Sequence, residues 1–338
     1  METMEATDNL LSDAVGVLQT LTDTVGAQVL GRDDVIELVV IALVADGHVL
    51  LEDFPGSGKT TLAKALGEAI VNDKKDDDQH IVSFRRIQFT PDLLPSDITG
   101  VPVFDANSNA FHFRYGPLFA HLVLADEINR TSPKVQSAML EAMGEKQVTV
   151  DNVTYPLDDL FFVIATQNPL DLVGTYPLPV PQLDRFLFKI TMQHINRDAE
   201  LGVLDTYKAR RDGTTSKSTV TRHQVLNARR HLDTLVHISQ DVKTALVDTS
   251  RKLRDDDRVL QGNSTRSMVL MLPALQVAAA LRGRDYVSAD DIELLLPRVL
   301  AHRIELAPGV GNINKVLQDC MTDAMENLAR ATLQRDSA

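Results

Sequence analysis

The sequence predicts an α/β fold, a mostly parallel sheet broken after its first strand by a glycine-rich loop, followed by a smaller all-helical domain. Three observations predict it. Short apolar strands alternate with helical patterns up to about residue 190. The loop Asp53-Phe54-Pro55-Gly56-Ser57-Gly58-Lys59-Thr60 falls between one such strand and a helix. Beyond about residue 222 nearly every segment has helical periodicity.

The 338 residues, 44% of them apolar, are too many for one ordinary domain and enough for two cores. A formal net charge of −13 favours solubility and argues against general attraction to nucleic acid. The single cysteine, Cys320, has no intrachain partner and reads as a plain helix residue in a reducing compartment. No apolar run reaches the 18 or more residues a membrane span needs. The acidic start lacks the basic region and apolar core of a signal peptide, so a soluble cytoplasmic protein is expected.

Taken in order, residues 8–28 carry apolar positions at helical spacing, and 33–46 form a second helix. His48 to Glu52 is an apolar strand leading into the loop, and Thr60 to Val71 is helical. The charged run 72–78 is a solvated loop before a strand from Ile81 to Phe84. A third strand, Leu122 to Ala125, ends in Asp126-Glu127; a fourth, Phe161 to Ala165, ends in Thr166-Gln167-Asn168. Polar residues at the carboxyl ends of parallel strands mark the edge where such sheets bind ligands. The small polar stretch 209–216 is an exposed loop. Helices follow at 222–237, 239–254, 265–282 and 288–302, the last with a capping-box-like start at Ser288 and Asp291. Pro273 should kink the third of them. There is no internal repeat.

Triphosphate binding needs backbone N–H groups aimed at one anion, a helix N-terminus behind them, and a cation for the outer phosphates. Gly56 and Gly58 let the backbone approach closely, Lys59 supplies the charge, and Thr60 offers a hydroxyl to magnesium. The strict motif wants glycine where this chain has Asp53. Asp126 and Glu127 divide the remaining labour, the aspartate holding the magnesium shell and the glutamate polarising the attacking water. Asn168 reads either as an amide that positions that water or as a turn residue before Pro169. Arg185 reads either as a cation for developing phosphoryl charge or as a salt-bridge partner of Asp184. Arg266, at a helix start, is equally open.

The run from Asp46 to Thr60 closely resembles the MoxR family of AAA+ ATPases, in which aspartate before the Pro-Gly is usual. The resemblance continues through Ile87 to Gly100, Gly116 to Phe119, Leu124 to Arg130, Gln136 to Met143, Ala165 to Pro169 and Gln182 to Phe186. It is weaker at Gly262 to Arg266 and Gly283 to Val287, and covers roughly residues 25–308. It implies an α/β P-loop ATPase core with a helical lid, assembled into a ring, usually a hexamer, with ATP and Mg2+ between neighbouring subunits. Asp126 and Glu127 match its Walker B pair, Asn168 its first sensor, Arg185 its arginine finger and Arg266 its second sensor. Gly31, Pro55, Gly56, Ser57, Gly58, Lys59, Thr60 and Thr61 are the expected nucleotide-binding set, with Thr60 and Asp126 toward the metal. Arg185 would act on the adjacent subunit's ATP, with Arg130 a second candidate at that interface. Thr99 to Tyr115 matches the helix-2 insertion of this branch, and 146–157 its hairpin before the first sensor strand. The chain departs from the family at Thr265, where proline is common, and at Pro273.

The expected division is an N-terminal helical segment at 1–28, an ATPase core at 29–192, a linker at 193–222 and a helical lid at 223–338. The function implied is chaperone-like remodelling or activation of a client, with a partner bearing a von Willebrand factor A domain. A metal-chelatase ATPase subunit and a DNA-stimulated motor are the alternatives. The segment from Ile87 to Gly100 argues against the first, and the acidic charge against the second.

Overall fold

The apolar runs form strands because they are covered on both faces. In the computed structural model, which describes residues 2–52, 56–73, 80–169, 174–208 and 218–336, the strand Ala120–Asp126 is buried along its whole length. The first part of the chain runs α1 (Glu2–Gly26), α2 (Asp33–Val44), β1 (Val49–Glu52), α3 (Lys59–Ala69), β2 (Ile70–Val71) and β3 (Val82–Gln88). It continues α4 (Pro95–Thr99), β4 (Gly100–Asp105), β5 (Ala110–Tyr115), β6 (Ala120–Asp126), α5 (Pro133–Glu145), β7 (Gln147–Val150), β8 (Val153–Pro156) and β9 (Phe162–Gln167). Then come α6 (Val180–Leu183), β10 (Phe188–Thr191), α7 (Arg197–Asp205) and β11 (Val220–Thr221).

The main sheet has five strands in the order β10-β1-β9-β6-β3. β1, β9, β6 and β3 pair in parallel, with Leu50 opposite Ala165, Leu124 opposite Ile164 and Gln88 opposite Asp126. The fold is therefore the expected α/β core with a helical C-terminal region. β3 runs on to Gln88, past the expected end at Phe84. Its continuation is polar because Arg85, Arg86 and Gln88 line the sheet's edge strand, where apolar periodicity gives no signal. The segment expected as an insertion is the antiparallel hairpin β4–β5, and 146–157 holds the hairpin β7–β8.

Two compact units emerge from the contacts. The first, Val17–Leu178 with Ile190–Leu226, contains the sheet's β1, β3, β6 and β9. Within the stretch 193–222, expected from sequence to be a linker, it holds helix α7, whose Ala199, with Ile195 just before the helix, packs against Gly31. The polar stretch 209–216 lies outside the described residues. Asp158 ties the same unit together from within: its carboxylate accepts Arg222 Nε at 2.9 Å and faces His121 Nδ1 at 3.2 Å. Burial pushes that carboxyl up, but the hydrogen bonds from His121 and Arg222 outweigh it and hold its pKa at about 2.

The second unit comprises Met1–Gly16, Pro179–Lys189 and Asn227–Ala338. Its helices are Gln240–Asp255, Thr265–Leu281, Ala289–Leu300 and Ile313–Asp336, joined by most of the helix Arg222–Leu235. Helix Thr265–Leu281 runs unbroken through Pro273. Gln276 locks it to the end of helix Arg222–Leu235 by donating to the carbonyls of Asp233 and Val236 at 3.0 and 2.8 Å. The capping box at Ser288 and Asp291 forms as expected, and Arg284 closes it with a salt bridge to the fully buried Asp291. Cys320 is a buried helix residue whose thiol burial and Asp256 push up to about 11, so it is held in the unreactive form. Among the described residues no helix is long and apolar enough to cross a membrane.

Candidate functional site

The site is assembled by the sheet's strand order. In a parallel sheet all carboxyl ends share one edge, so the neighbours β1, β9 and β6 bring three loops together. The glycine loop follows β1, Asn168 follows β9, and Asp126-Glu127 closes β6. Pro55, with Asp53 and Phe54, lies outside the described residues. Gly56 and Gly58 have φ of 90° and 94°, the left-handed region that side chains rarely adopt, and Gly58 caps α3. Lys59 and Thr60 then form the first turn of that helix, where backbone N–H groups have no helical acceptor and anions are favoured.

The two carboxylates are held by different partners. Asp126 is buried; its Oδ1 accepts the Thr166 hydroxyl at 2.6 Å and its Oδ2 accepts Arg86 Nη2 at 2.6 Å. Glu127 has φ 58° and ψ 50°, a left-handed conformation that costs a non-glycine residue about 1–2 kcal/mol. Thr166 holds it there by accepting the Glu127 N–H at 2.9 Å. One hydroxyl thus fixes the aspartate carboxylate and the glutamate backbone together. The Glu127 side chain accepts Gln88 Nε2 at 2.8 Å and faces Arg130 Nε at 3.4 Å. Arg130 is therefore engaged with a carboxylate of its own chain.

Beside the loop lies a cavity of roughly 550 Å3, within the range of small-molecule sites. Gly56, Ser57, Gly58 and Thr61 line one side, and Val29, Leu30, Ile195 and Val203 supply an apolar wall. Gly31 lies within the segment forming that wall: it has φ 70°, and a Cβ there would stand 2.5 Å from Cβ of Ala199. Arg32 is buried beneath, donating to the carbonyls of Gln193 and Ser57. Ser57 Oγ and Arg32 Nε are buried and make no hydrogen bond among the described residues, which fits a ligand rich in acceptor oxygens. The apolar wall gives no signal in the sequence, because its residues come from two distant segments and belong to no motif. A cavity of about 620 Å3 in the helical unit, floored by Met321 and Met325, has neither a glycine loop nor a lining cation.

Arg185 and Arg266 belong to the helical unit. Asp184, the candidate salt-bridge partner of Arg185, is paired with Arg303 at 2.7 Å. Arg266 sits exposed in the first turn of helix Thr265–Leu281.

Known proteins resemble this chain over most of its length. A family model described as "ATPase family associated with various cellular activities (AAA)" matches residues 48–188, and an "AAA lid domain" model matches 251–319. The uncharacterized protein YeaC of Bacillus subtilis is 45% identical over 82% of this chain and 83% of its own. The chaperone MoxR1 of Mycobacterium tuberculosis is 34% identical over 86% of this chain and 78% of its own. A crystal structure of a candidate ATPase from Cytophaga hutchinsonii superposes with a TM-score of 0.83 at 32% identity, covering 95% of this chain and 98% of that one.

Proposed function

This chain belongs to the MoxR family of AAA+ ATPases, a nucleotide-binding and chaperone-like family, and from that premise we propose that it hydrolyses Mg-ATP in a ring to remodel a client. The observation that carries the reading is the shared sheet edge, where the glycine loop, Asn168 and the Asp126-Glu127 pair stand on adjacent strands.

In this reading the loop from Pro55 to Thr61, with Lys59, binds the phosphates, and Gly31 and the apolar wall take the base. Thr60 and Asp126 are hard oxygen donors suited to magnesium, which binds few protein groups and keeps several waters. Both Asp126 oxygens already accept hydrogen bonds, so Asp126 would hold the ion's water shell. When bound, the ion would neutralise charge on the β- and γ-phosphates. Glu127 is the general base: its backbone is fixed by Thr166, and Gln88 and Arg130 set where its carboxylate rests. Asn168 orients the attacking water. Arg266 contacts the nucleotide of its own subunit and Arg185 that of a neighbour, which makes the ring a requirement of the chemistry. The exposed pair Phe104 and Phe111, 5.2 Å apart on the β4–β5 hairpin, offers an apolar surface to a client. A von Willebrand factor A protein is the proposed partner, in the cytoplasm.

Glu127→Gln in the presence of ATP tests this reading. The variant should elute as a ring by light scattering and retain a von Willebrand A protein in a pull-down. A monomer under these conditions would remove the ring, and a ring that retains no such protein would remove the partner.

A further inference from the structure

Arg303 is 3% exposed, yet it carries a charge that burial alone strongly disfavours. Every N–H of its guanidinium is spent on one short loop and its surroundings. Nε donates to Asp184 Oδ1 at 2.7 Å; Nη2 donates to the carbonyls of Asp184 at 3.1 Å and Phe186 at 2.7 Å. Nη1 donates to the Leu187 carbonyl at 3.2 Å and to the Val299 carbonyl, and lies 2.9 Å from His302 Nε2. The two carbonyls that Nη2 binds, those of Asp184 and Phe186, bracket one residue, Arg185. Phe186, Leu187 and Phe188 are fully buried directly after it, so the loop is anchored on both sides of that arginine. Burial lowers the Arg303 pKa and Asp184 raises it; a guanidinium remains charged throughout the working range.

The same carboxylate is reached from a second direction. Ser267, fully buried, points its hydroxyl at Asp184 Oδ1 from 3.4 Å. Ser267 is the neighbour of Arg266 in the first turn of its helix, and its Oγ lies 3.3 Å from that of Ser264, the helix's N-cap residue. Asp184 therefore joins the helix start bearing Arg266 to the loop bearing Arg185, with Arg303 as the clamp that makes the joint rigid. A lysine here would supply one charge and three donors from a flexible stem, without the planar fork that spans a carboxylate and several carbonyls.

We propose that Arg303 is a positioning residue for Arg185, and that the Asp184–Arg303–Ser267 junction transmits the state of Arg266 to Arg185. The inference rests on the proposed function in which Arg185 acts on a neighbour's ATP and Arg266 on the subunit's own. In a ring, such a joint links what one subunit has bound to the arginine it presents to the next.

The test is a double-mutant cycle with a subunit-mixing arm, on full-length chains whose folding is checked by thermal unfolding. Arg303→Lys and Arg185→Ala should each lower kcat at least tenfold with the Kd for a fluorescent ATP analogue within about twofold, and the double variant should be no slower than Arg185→Ala. Additive losses would overturn the proposal, as would an Arg303→Lys ring of wild-type kcat. If Arg303→Lys fails to fold, Asp184→Asn, at a partly exposed position, takes its place in the same cycle. Mixing either variant with Lys59→Ala subunits, whose own site is dead but whose Arg185 is intact, should restore turnover. Restoration for Arg185→Ala but not for Arg303→Lys overturns the proposal. No loss of kcat on Arg185→Ala, or no restoration of it by mixing, instead removes the trans-acting role of Arg185 on which the proposal rests.

Discussion

Arg86 on the edge strand holds Asp126 end-on: Nη2 lies 2.6 Å and Nε 3.2 Å from the same carboxylate oxygen, Oδ2. The pair is half in solvent on the arginine side, with Arg86 at 48% exposure and Asp126 at 11%. The guanidinium thus neutralises the carboxylate proposed to hold the magnesium shell, and it would compete with a bound ion for that charge.

Replacing Arg86 by methionine should therefore act in opposite directions on two quantities. Stability without nucleotide should fall by about 1 kcal/mol, the scale of a partly exposed ion pair. The magnesium concentration needed for half-maximal nucleotide binding should fall several-fold, because Asp126 then lacks its resident cation. Magnesium titrations of a fluorescent nucleotide read this directly; a higher requirement in Arg86→Met would show that Arg86 assists the ion.

Thr166 is the other support of the same pair, donating to Asp126 and accepting from the Glu127 N–H. Thr166→Val keeps the shape and removes both bonds. It should leave nucleotide affinity within about threefold and lower kcat by roughly ten- to a hundredfold, since the left-handed backbone of Glu127 loses its tether. A kcat equal to wild type would mean that the Glu127 conformation holds without this hydroxyl.

His302, fully enclosed, is pushed down to about 3 by burial and by the charge of Arg303. Its folded pKa therefore lies below the unfolded value of about 6.5, so in that interval the unfolded chain binds the proton the folded chain refuses. The stabilisation is full above about pH 6.5 and is lost progressively as pH falls toward about 3. Chemical denaturation at several pH values should show this slope, and His302→Gln should flatten it. An equal slope in the variant would assign the acid sensitivity to other groups.

Strands, loop and carboxylate pair are legible in the sequence because each has a local signature. Leu122 to Ala125 and Phe161 to Ala165 are buried throughout and so read as continuous apolar runs. The glycine loop and the start of α3 are fixed by backbone conformation that only particular residues permit. Helix α7 reads as linker because nine residues with exposed Leu201 and Leu204 give no core-facing stripe. Arg86 escapes a sequence reading because an edge-strand arginine is the ordinary way to protect an edge, and its partner is 40 positions away. Arg303 escapes it for the same reason at longer range: the carboxylate that justifies its burial is 119 positions away. The left-handed backbone of Glu127 has no sequence signal at all, since glutamate is not a residue chosen for that conformation.

The measurement closest to the central claim pairs ATP binding with turnover in three purified chains. Wild type should bind and hydrolyse Mg-ATP; Lys59→Ala should bind at least a hundredfold more weakly. Glu127→Gln should bind with unchanged affinity while turnover falls by roughly a hundred- to ten-thousand-fold, the usual contribution of a general base. Hydrolysis by Lys59→Ala or Glu127→Gln at the wild-type rate would contradict the assignment of the active site to this sheet edge.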